Sequence, residues 1–221
     1  MEPNDGQWWH WQWEWLCPLA LFYIVGSIPT GFLLGKAKGI DIRQHGSGNI
    51  GATNVWRVLG WKWGLVAFVS DFLKGFLLLF LYQQNFNADG EIGTDCLFLV
   101  IAGVTAIIGH NYTPWLGFKG GKGIATSAGV LGALMPWVLA FALSLWIVVT
   151  LVTRTVSIGS LAAAVVLAPA AAYFYPGQWV YFGLACLAGG LAVWRHKSNI
   201  QRLLAGTETR IEFGSKKKDA P

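Results

Sequence analysis

Long apolar blocks dominate this chain and limit what it can fold into. A membrane-spanning helix needs about 20 predominantly apolar residues, and several blocks approach or exceed that length. Only 12% of the residues are charged, whereas soluble domains are about one quarter charged. The chain is therefore predicted to be an all-α, polytopic integral membrane protein. Its apolar blocks are residues 16–35, 63–82, 96–108, 124–153, 158–174 and 179–194.

The charged segments between these blocks predict an orientation in the membrane. Basic residues predominate in segments 36–62, 115–123 and 195–221, whereas segment 83–95 carries acidic residues and no basic ones. Because cytoplasmic loops are enriched in Lys and Arg, the three basic segments are predicted to lie inside and the acidic one outside. The net charge of +5 then reflects loops that face anionic lipid, and nucleic-acid binding is not expected.

Six simple spans cannot satisfy this charge pattern, because an even number would return the basic tail to the outside. Block 124–153 is 30 residues long and contains Pro136 near its middle, and proline interrupts a helix. If it splits into 124–135 and 137–153, every charged loop is satisfied. We therefore predict seven transmembrane helical segments, N-out and C-in, with a short, half-length fourth helix.

The flanks of the apolar region predict three parts of the chain. Residues 1–15 are rich in tryptophan, which favours the membrane–water interface, so Trp8 to Trp15 are predicted to form an interfacial belt or a short amphipathic helix. Residues 16–208 would form the seven-helix domain, and residues 209–221 a basic cytoplasmic tail.

The segment GFKGGKG precedes the short fourth helix. About 12 residues of helix span about 18 Å, less than the ~30 Å hydrocarbon core, so the helix would begin at membrane depth. The N-terminus of a helix attracts anions. The segment therefore predicts a phosphate site, although a flexible glycine hinge with headgroup-binding lysines would share its composition. Its candidate residues are Gly117, Lys119, Gly120, Gly121, Lys122 and Gly123.

A second polar run, HGSGNIGATN, lies in the first basic segment and is followed by Arg57. Its glycines allow a ligand to approach the backbone, and GATNVWRVLG has the pattern of a helix start. The run predicts a second anion cradle, and a solvated turn is the alternative. Its candidate residues are Gly46, Ser47, Gly48, Asn49, Gly51, Thr53 and Asn54.

Polar residues at the end of the last block complete the candidate site. His196 and Asn199 are three positions apart, so they share one face if the segment is helical, and Arg195 and Arg202 flank them. His196 could also be an ordinary interfacial histidine.

Other polar residues lie inside or beside the apolar blocks. Asp71 and Lys74 are predicted to form a structural ion pair beside the site, with a catalytic acid as the alternative. His110 and Asn111 could line a cavity or cap a helix. Ser157 and Ser160 share one helix face, and capping is the alternative for them.

Familiar signatures of other chemistry are absent from the sequence. Lys122 is followed by Gly123, where a Walker A loop needs Ser or Thr to hold magnesium. None of the four histidines has an aspartate five positions on, which excludes a common acyltransferase base pair. No metal or other cofactor is expected, because carboxylates are sparse near the basic segments.

The inferred site combines two anion cradles with several cations at the bilayer edge. This arrangement suggests two phosphate-bearing ligands, one of which carries an acyl chain. The segments GSIPTG, DIRQHGSGNIGATNVWRVLG, SDFLKG, GHNYTPWLGFKGGKGIAT and RHKSNIQRLLAGTE resemble those of the bacterial acyl-phosphate:glycerol-3-phosphate acyltransferase family, in the same order across residues 20–208.

This resemblance implies a seven-helix membrane enzyme of phospholipid synthesis. Its reaction would move a fatty acyl group from acyl phosphate to the 1-hydroxyl of glycerol 3-phosphate, giving lysophosphatidic acid and phosphate. The site would lie on the cytoplasmic side of the bacterial inner membrane, and the soluble enzyme that makes acyl phosphate is a candidate partner.

The resemblance also implies roles for individual residues. Ser47, Arg57, Lys122, His196 and Asn199 would be catalytic. The glycines of GFKGGKG, with Lys122, would bind the phosphate of glycerol 3-phosphate. A functional serine at the start of the sixth helix falls on Ser160, with Ser157 as the alternative. His196 could be the base, or it could bind phosphate while a substrate phosphate takes the proton. The competing class of function is an organophosphate or phosphate membrane transporter.

Overall fold

The computed structural model describes residues 5–86 and 94–211, and it describes side chains in 15–84 and 96–211. Within those ranges the chain is helical and contains no strand. Its ten α-helices are α1 Asp5–Gly26, α2 Thr30–Ala37, α3 Ala52–Leu59, α4 Trp61–Phe86, α5 Thr94–Asn111, α6 Ile124–Leu134, α7 Pro136–Thr153, α8 Val156–Phe174, α9 Trp179–Arg195 and α10 Lys197–Leu204.

The predicted break in the long apolar block is confirmed. Helix α6 ends at Leu134 and α7 begins at Pro136, so the chain turns at Met135, because proline has no N–H to continue the preceding helix. The apolar block 16–35 forms two helices, α1 and α2, and together they still meet the length and composition of one bent span. The chain bends by 40° between α1 and α2, where Pro29 stands in the linker.

Four helical segments are long and apolar enough to cross a membrane, or five if the bent α1–α2 pair counts as one span. The four are Trp61–Gln84, Cys96–Leu116, Pro136–Thr153 and Val156–Phe174. Helices α6 and α9 are apolar but shorter, and α6, at 11 residues, is the predicted short helix. This is the pattern of a multi-pass membrane protein.

The count of seven spans, the N-out/C-in orientation and the three-part division of the chain stay predictions. Helix α1 runs without a break through residue 15. Three of the regions that these predictions concern lie outside what the structure describes: the side chains of Trp8 to Trp13, most of residues 83–95, and the tail beyond residue 211.

Two groups of buried apolar side chains hold the helices together. The larger group includes Phe22, Leu79, Ile107 and Leu184 and lies among the long helices. The smaller one joins Ile42, Ile50, Val55, Ala67 and Leu116. It packs the first polar loop and α3 against α4. The segment between α2 and α4 is therefore a folded part of the protein, with its polar run held in place.

Close contact between α4 and α6 fixes where the short helix begins. A Cβ added to Gly75 of α4 would meet the carbonyl oxygen of Thr126, and one added to Gly129 of α6 would meet that of Phe72. Small residues let helix backbones approach in this way. The first turn of α6 is thereby held against α4 at the level of Asp71 and Lys74.

Substituting Gly129 by alanine should destabilise the protein, because the new methyl group would press on the α4 backbone. Overpacking of this kind costs about 1–3 kcal/mol. The matched control is Gly190→Ala on α9, where an added Cβ would meet nothing within 4 Å. Thermal unfolding of the purified variants in detergent measures both. Equal melting temperatures would contradict the proposed crossing.

Candidate functional site

A buried ion pair lies at the base of the site. Lys74 Nζ is 2.8 Å from Asp71 Oδ1, so the predicted pair is confirmed. The same ammonium donates to His110 Nδ1 (2.8 Å) and to the carbonyl oxygen of Ile28 (3.0 Å). The ammonium thus has one ion-pair partner and two hydrogen-bond acceptors. Lys74 therefore joins α4, α5 and the α1–α2 linker.

The end of α5 holds the glycine segment from one side. Gly120 N donates to the carbonyl oxygen of Asn111, and Gly121 N donates to that of His110, each at 3.1 Å. The last turn of a helix has unpaired carbonyls, and these two receive the loop. An added Cβ on Gly121 would meet the His110 ring. These two N–H groups are therefore used within the protein, and the assignment of Gly120 and Gly121 to a phosphate site stays a prediction.

The backbone N–H groups that are available lie further along, at the start of α6. Those of residues 122–126 donate to no described residue, as is normal for the first turn of a helix. Gly123 precedes the helix with φ 78°, a left-handed conformation that glycine adopts without strain. These N–H groups, with the positive end of the helix dipole, can bind an anion.

Gly117 and Lys119 lie on the exposed turn before this region. Gly117 has φ 60° and its N–H donates to Pro114. Glycine suits this position because the backbone there is left-handed.

Asn54 organises the first polar loop. It is buried, at 2% exposure, and its Oδ1 accepts from Ser47 N at 2.8 Å. Its Nδ2 donates to the carbonyl oxygens of Ile42, His45 and Asn49. The Asn54 amide thus shapes the cradle through these bonds, and its assignment as a substrate-binding residue stays a prediction.

Some of the other predicted residues of this loop fix its backbone conformation, and others have side chains that a ligand could reach. Asn49 Oδ1 accepts from Gly51 N at 2.8 Å, immediately before α3, where the sequence predicts a helix start. Gly46 and Gly48 have positive φ values of 60° and 70°. The side chains free to meet a ligand are exposed: Ser47, Thr53 and Arg57.

A chain of hydrogen bonds connects the start of α6 to the end of the protein. Lys122 Nζ donates to Asn199 Oδ1 (2.5 Å), and Asn199 Nδ2 donates to Glu208 Oε1 (2.6 Å). Ser157 Oγ donates to the same carboxylate oxygen at 2.8 Å, and Arg202 Nε donates to Glu208 Oε2 at 2.7 Å. The network places Lys122, Asn199 and Ser157 together.

The two candidate serines have different surroundings. Ser157 joins the network through Glu208, whereas Ser160 accepts a hydrogen bond from Trp146 Nε1 at 3.2 Å. Both are buried. The geometry favours Ser157, the alternative in the sequence-based assignment, as the serine linked to the site.

Charges around Lys122 are mostly of its own sign. Its ammonium is half-buried, and burial lowers its pKa to about 8, with Arg202, Arg57 and Arg195 lowering it further and Glu208 opposing them. Because the charge of Arg57 affects the pKa of Lys122, the first polar loop lies close enough to interact electrostatically with the glycine segment. The site therefore holds four cationic side chains and one carboxylate.

His196 is buried beside Lys122, between α9 and α10. Its Nδ1 is 2.7 Å from the carbonyl oxygen of Ala192; since a carbonyl can only accept, Nδ1 carries the proton. Burial and then Lys122 lower the pKa of His196 to about 4. The ring is therefore neutral near pH 7, and Nε2 presents a lone pair.

Glu208 is the site residue that sequence reasoning missed. Its partial burial would raise its pKa, but hydrogen bonds from Asn199, Ser157 and Arg202 outweigh burial and lower it. Gly206 ends α10 with φ 69°, and Thr207 N donates back to the carbonyl of Arg202. This helix-ending turn reverses the chain onto α10. In the sequence, Gly206 was the signal that the chain could turn back after α10 and bring Glu208 to the site.

The fold and these groups define a multi-pass helical membrane protein with a cluster of cationic side chains where several of its helices end. The family model described as glycerol-3-phosphate acyltransferase matches residues 16–206, and the chain belongs to this family. The resemblance inferred from the motifs is confirmed.

Individual relatives agree with the family assignment. The chain is 47% identical over 197 residues to the glycerol-3-phosphate acyltransferase of Desulforudis audaxviator (strain MP104C), covering 88% of this chain and 94% of that protein. It also resembles two crystal structures of PlsY (YgiH), an integral membrane glycerol 3-phosphate acyltransferase. The glycerol 3-phosphate form matches with a TM-score of 0.81 at 38% identity, and the lysophosphatidic acid form with a TM-score of 0.79 at 37% identity. Each match covers 90% of this chain and 96% of the PlsY chain.

Replacing Asp71 by asparagine should destabilise the protein strongly, because the Lys74 charge would remain buried without its counter-charge. Breaking a buried pair by removing one partner costs about 3–5 kcal/mol. The double variant Asp71→Leu/Lys74→Met should recover much of this loss. Thermal unfolding in detergent measures the series. The control is Asp41→Asn, since Asp41 is only partly buried and pairs with the exposed Arg43. Equal effects at Asp71 and Asp41 would contradict the role of the buried pair.

Proposed function

We propose that this protein transfers a fatty acyl group from acyl phosphate to the 1-hydroxyl of glycerol 3-phosphate, releasing lysophosphatidic acid and phosphate. Membership of the family supports acylation of glycerol 3-phosphate, and the PlsY crystal forms contain, by name, that acceptor and that product. The acyl-phosphate donor is the further step, and it rests on the chemistry of the site.

The observation that carries the proposal is the unbalanced charge around Lys122. Among the described residues, the charges that act on the partly buried Lys122 are those of one carboxylate, Glu208, and of three arginines, Arg57, Arg195 and Arg202. Repulsion between like charges is costly in such a setting. Two phosphate-bearing substrates would supply the missing negative charge. An acyl thioester would bring no such phosphate to the reacting carbonyl.

The acceptor is proposed to bind at the start of α6. Its phosphate would receive hydrogen bonds from the unpaired N–H groups of residues 122–126 and the charge of Lys122. Asn199 already accepts from Lys122, so it would orient the ammonium toward that phosphate. The donor is proposed to bind against the first loop, where Ser47, Thr53 and Arg57 are exposed and can meet a second phosphate.

His196 is proposed to accept a hydrogen bond from the attacking hydroxyl of glycerol 3-phosphate. With its proton on Nδ1, the neutral ring offers only an acceptor at Nε2, so it is poorly suited to bind phosphate. A pKa near 4 also makes it a weak base. Its contribution would be to aim the hydroxyl, which is where orientation has large effects on rate.

The reaction then needs no base beyond its own substrates. The 1-hydroxyl oxygen attacks the carbonyl carbon of the mixed anhydride, and the bond between that carbon and the phosphate oxygen breaks. The phosphate leaves with the electron pair and takes up the hydroxyl proton. Arg57 and Lys122 would stabilise the negative charge that develops on the two phosphates.

The setting of the reaction is proposed from charge and chemistry. The site would face the cytoplasm at the inner membrane of a bacterial cell, because its loops are the basic ones. The acyl chains of donor and product would lie in surrounding lipid. A soluble enzyme that makes acyl phosphate would be the partner that supplies the donor.

The test is direct assay of the purified protein with acyl phosphate and labelled glycerol 3-phosphate. Labelled lysophosphatidic acid is the expected product, and the matching acyl thioester should give little or none. Product from the thioester alone would overturn the donor proposal. The transporter alternative has no support from the family or its structures; it predicts label accumulating unmodified inside sealed vesicles.

Activity should fall as pH rises through about 8, because Lys122 loses its proton there and with it the charge that binds phosphate. The measurement is kcat/KM for glycerol 3-phosphate on both sides of that pH, since this ratio reports groups of the free enzyme. Lys122→Arg should keep its charge and lose this alkaline decline. Lys62→Arg, at an exposed lysine, is the control and should decline like the wild type. If the alkaline decline in kcat/KM were unchanged in Lys122→Arg, another group would be responsible for the decline.

A further inference from the structure

We propose that Arg195 is a positioning residue that clamps the peptide groups of Gly120 and Gly121, and so keeps Lys122 and the start of α6 aimed at the acceptor phosphate. The proposal rests on the proposed function for what the loop binds. Nothing in the motif chemistry requires it, since Arg195 could equally be one more phosphate-binding cation.

Three hydrogen bonds carry the inference. Arg195 Nη2 donates to the carbonyl oxygens of Gly120 (2.9 Å) and Gly121 (2.8 Å), and its Nε donates to Gly121 at 3.0 Å. The guanidinium is a planar fork of fixed geometry, which suits two neighbouring carbonyls. Its charge is directed at the loop backbone, and it forms no ion pair with a described carboxylate.

The same two residues are held on their opposite edge by α5. Their N–H groups donate to the carbonyls of His110 and Asn111, so each residue is fixed through both its donor and its acceptor. Glycine loses more conformational freedom on ordering than any other residue. A loop of this composition therefore needs such bonds to present the following residues in one conformation.

The guanidinium is itself held in place. It stacks at 5.1 Å from the centre of the Tyr112 ring, and the carbonyl of Tyr112 accepts a hydrogen bond from Tyr23 at 2.8 Å. The clamp is thus continuous with the packing of α1 on α5. It does not depend on a bound substrate.

The position of Arg195 in the chain gives the clamp a consequence for catalysis. It is the last residue of α9, and His196 follows it directly. One helix end therefore fixes both the loop that would hold the acceptor phosphate and the imidazole that would hold the acceptor hydroxyl. The separation between those two subsites is set by Arg195, and displacement by about 1 Å can cost 100-fold in rate.

The first test compares Arg195→Lys with the control Lys197→Gln, an exposed neighbour stacked on Trp194. Lysine keeps the charge and loses the fork. We expect KM for glycerol 3-phosphate to rise and kcat to fall, each by about 10-fold, with KM for acyl phosphate and the melting temperature close to wild type. Parallel changes in both KM values and in melting temperature would mean a general structural role and overturn the proposal.

The second test separates a clamp from a direct phosphate ligand. In Gly121→Ala the loop is displaced from the other side, by the His110 ring. If Arg195 acts through the loop, adding Arg195→Lys to that variant should cost little more. If it contacts phosphate itself, the two losses should add, as for independent sites, and the proposal fails.

A third measurement needs no activity. Amide hydrogen exchange in the segment 117–126 should be faster in Arg195→Lys than in wild type or Lys197→Gln, and unchanged exchange would overturn the clamp. If the wild-type protein formed no product, the proposed function would be wrong. The exchange result would still decide whether Arg195 holds the loop. This measurement also decides the case if Gly121→Ala does not fold.

Discussion

One ion pair and two hydrogen bonds of the buried Lys74 ammonium are the contacts on which the site depends. They join Asp71 on α4, His110 near the end of α5 and the carbonyl of Ile28 in the α1–α2 linker. An ammonium in an apolar interior must have partners of this kind, because leaving any of its N–H groups unpaired is costly. The end of α5, the bend after α1 and the first turn of α6 therefore keep one arrangement.

From this base the site is built outwards as a set of helix ends. The last carbonyls of α5 and the guanidinium at the end of α9 hold Gly120 and Gly121 from opposite edges, and the free N–H groups of α6 come next. Glu208 connects α8, α10 and Lys122 through Ser157 and Asn199. Its single negative charge leaves the cations under-neutralised, which suits a site that must bind phosphate and release it again.

Much of the helical framework was predictable, because long apolar blocks leave the chain few alternatives and block 124–153 is too long for one span, with Pro136 near its middle. The Asp71–Lys74 pair was predictable for the same reason, since two charges within one apolar helix can only face inward together. The bend at Ser27–Pro29 was not predicted, although Ser27, Pro29 and Thr30 interrupt the apolar block there. The structural role of Asn54 was not predictable, because its amide bonds to backbone groups of residues that the sequence does not show to be neighbours.

The sequence by itself determined the class of protein and the family, because these follow from composition and from contiguous motifs, and it predicted which residues would meet phosphate. Only the tertiary structure decided which groups are free to act. It assigned the N–H groups of Gly120 and Gly121 to the loop, linked Ser157 to the site ahead of Ser160, and oriented His196 through the carbonyl of Ala192. Each of these depends on which donor and acceptor meet across helices, and pairing at that range is set by packing.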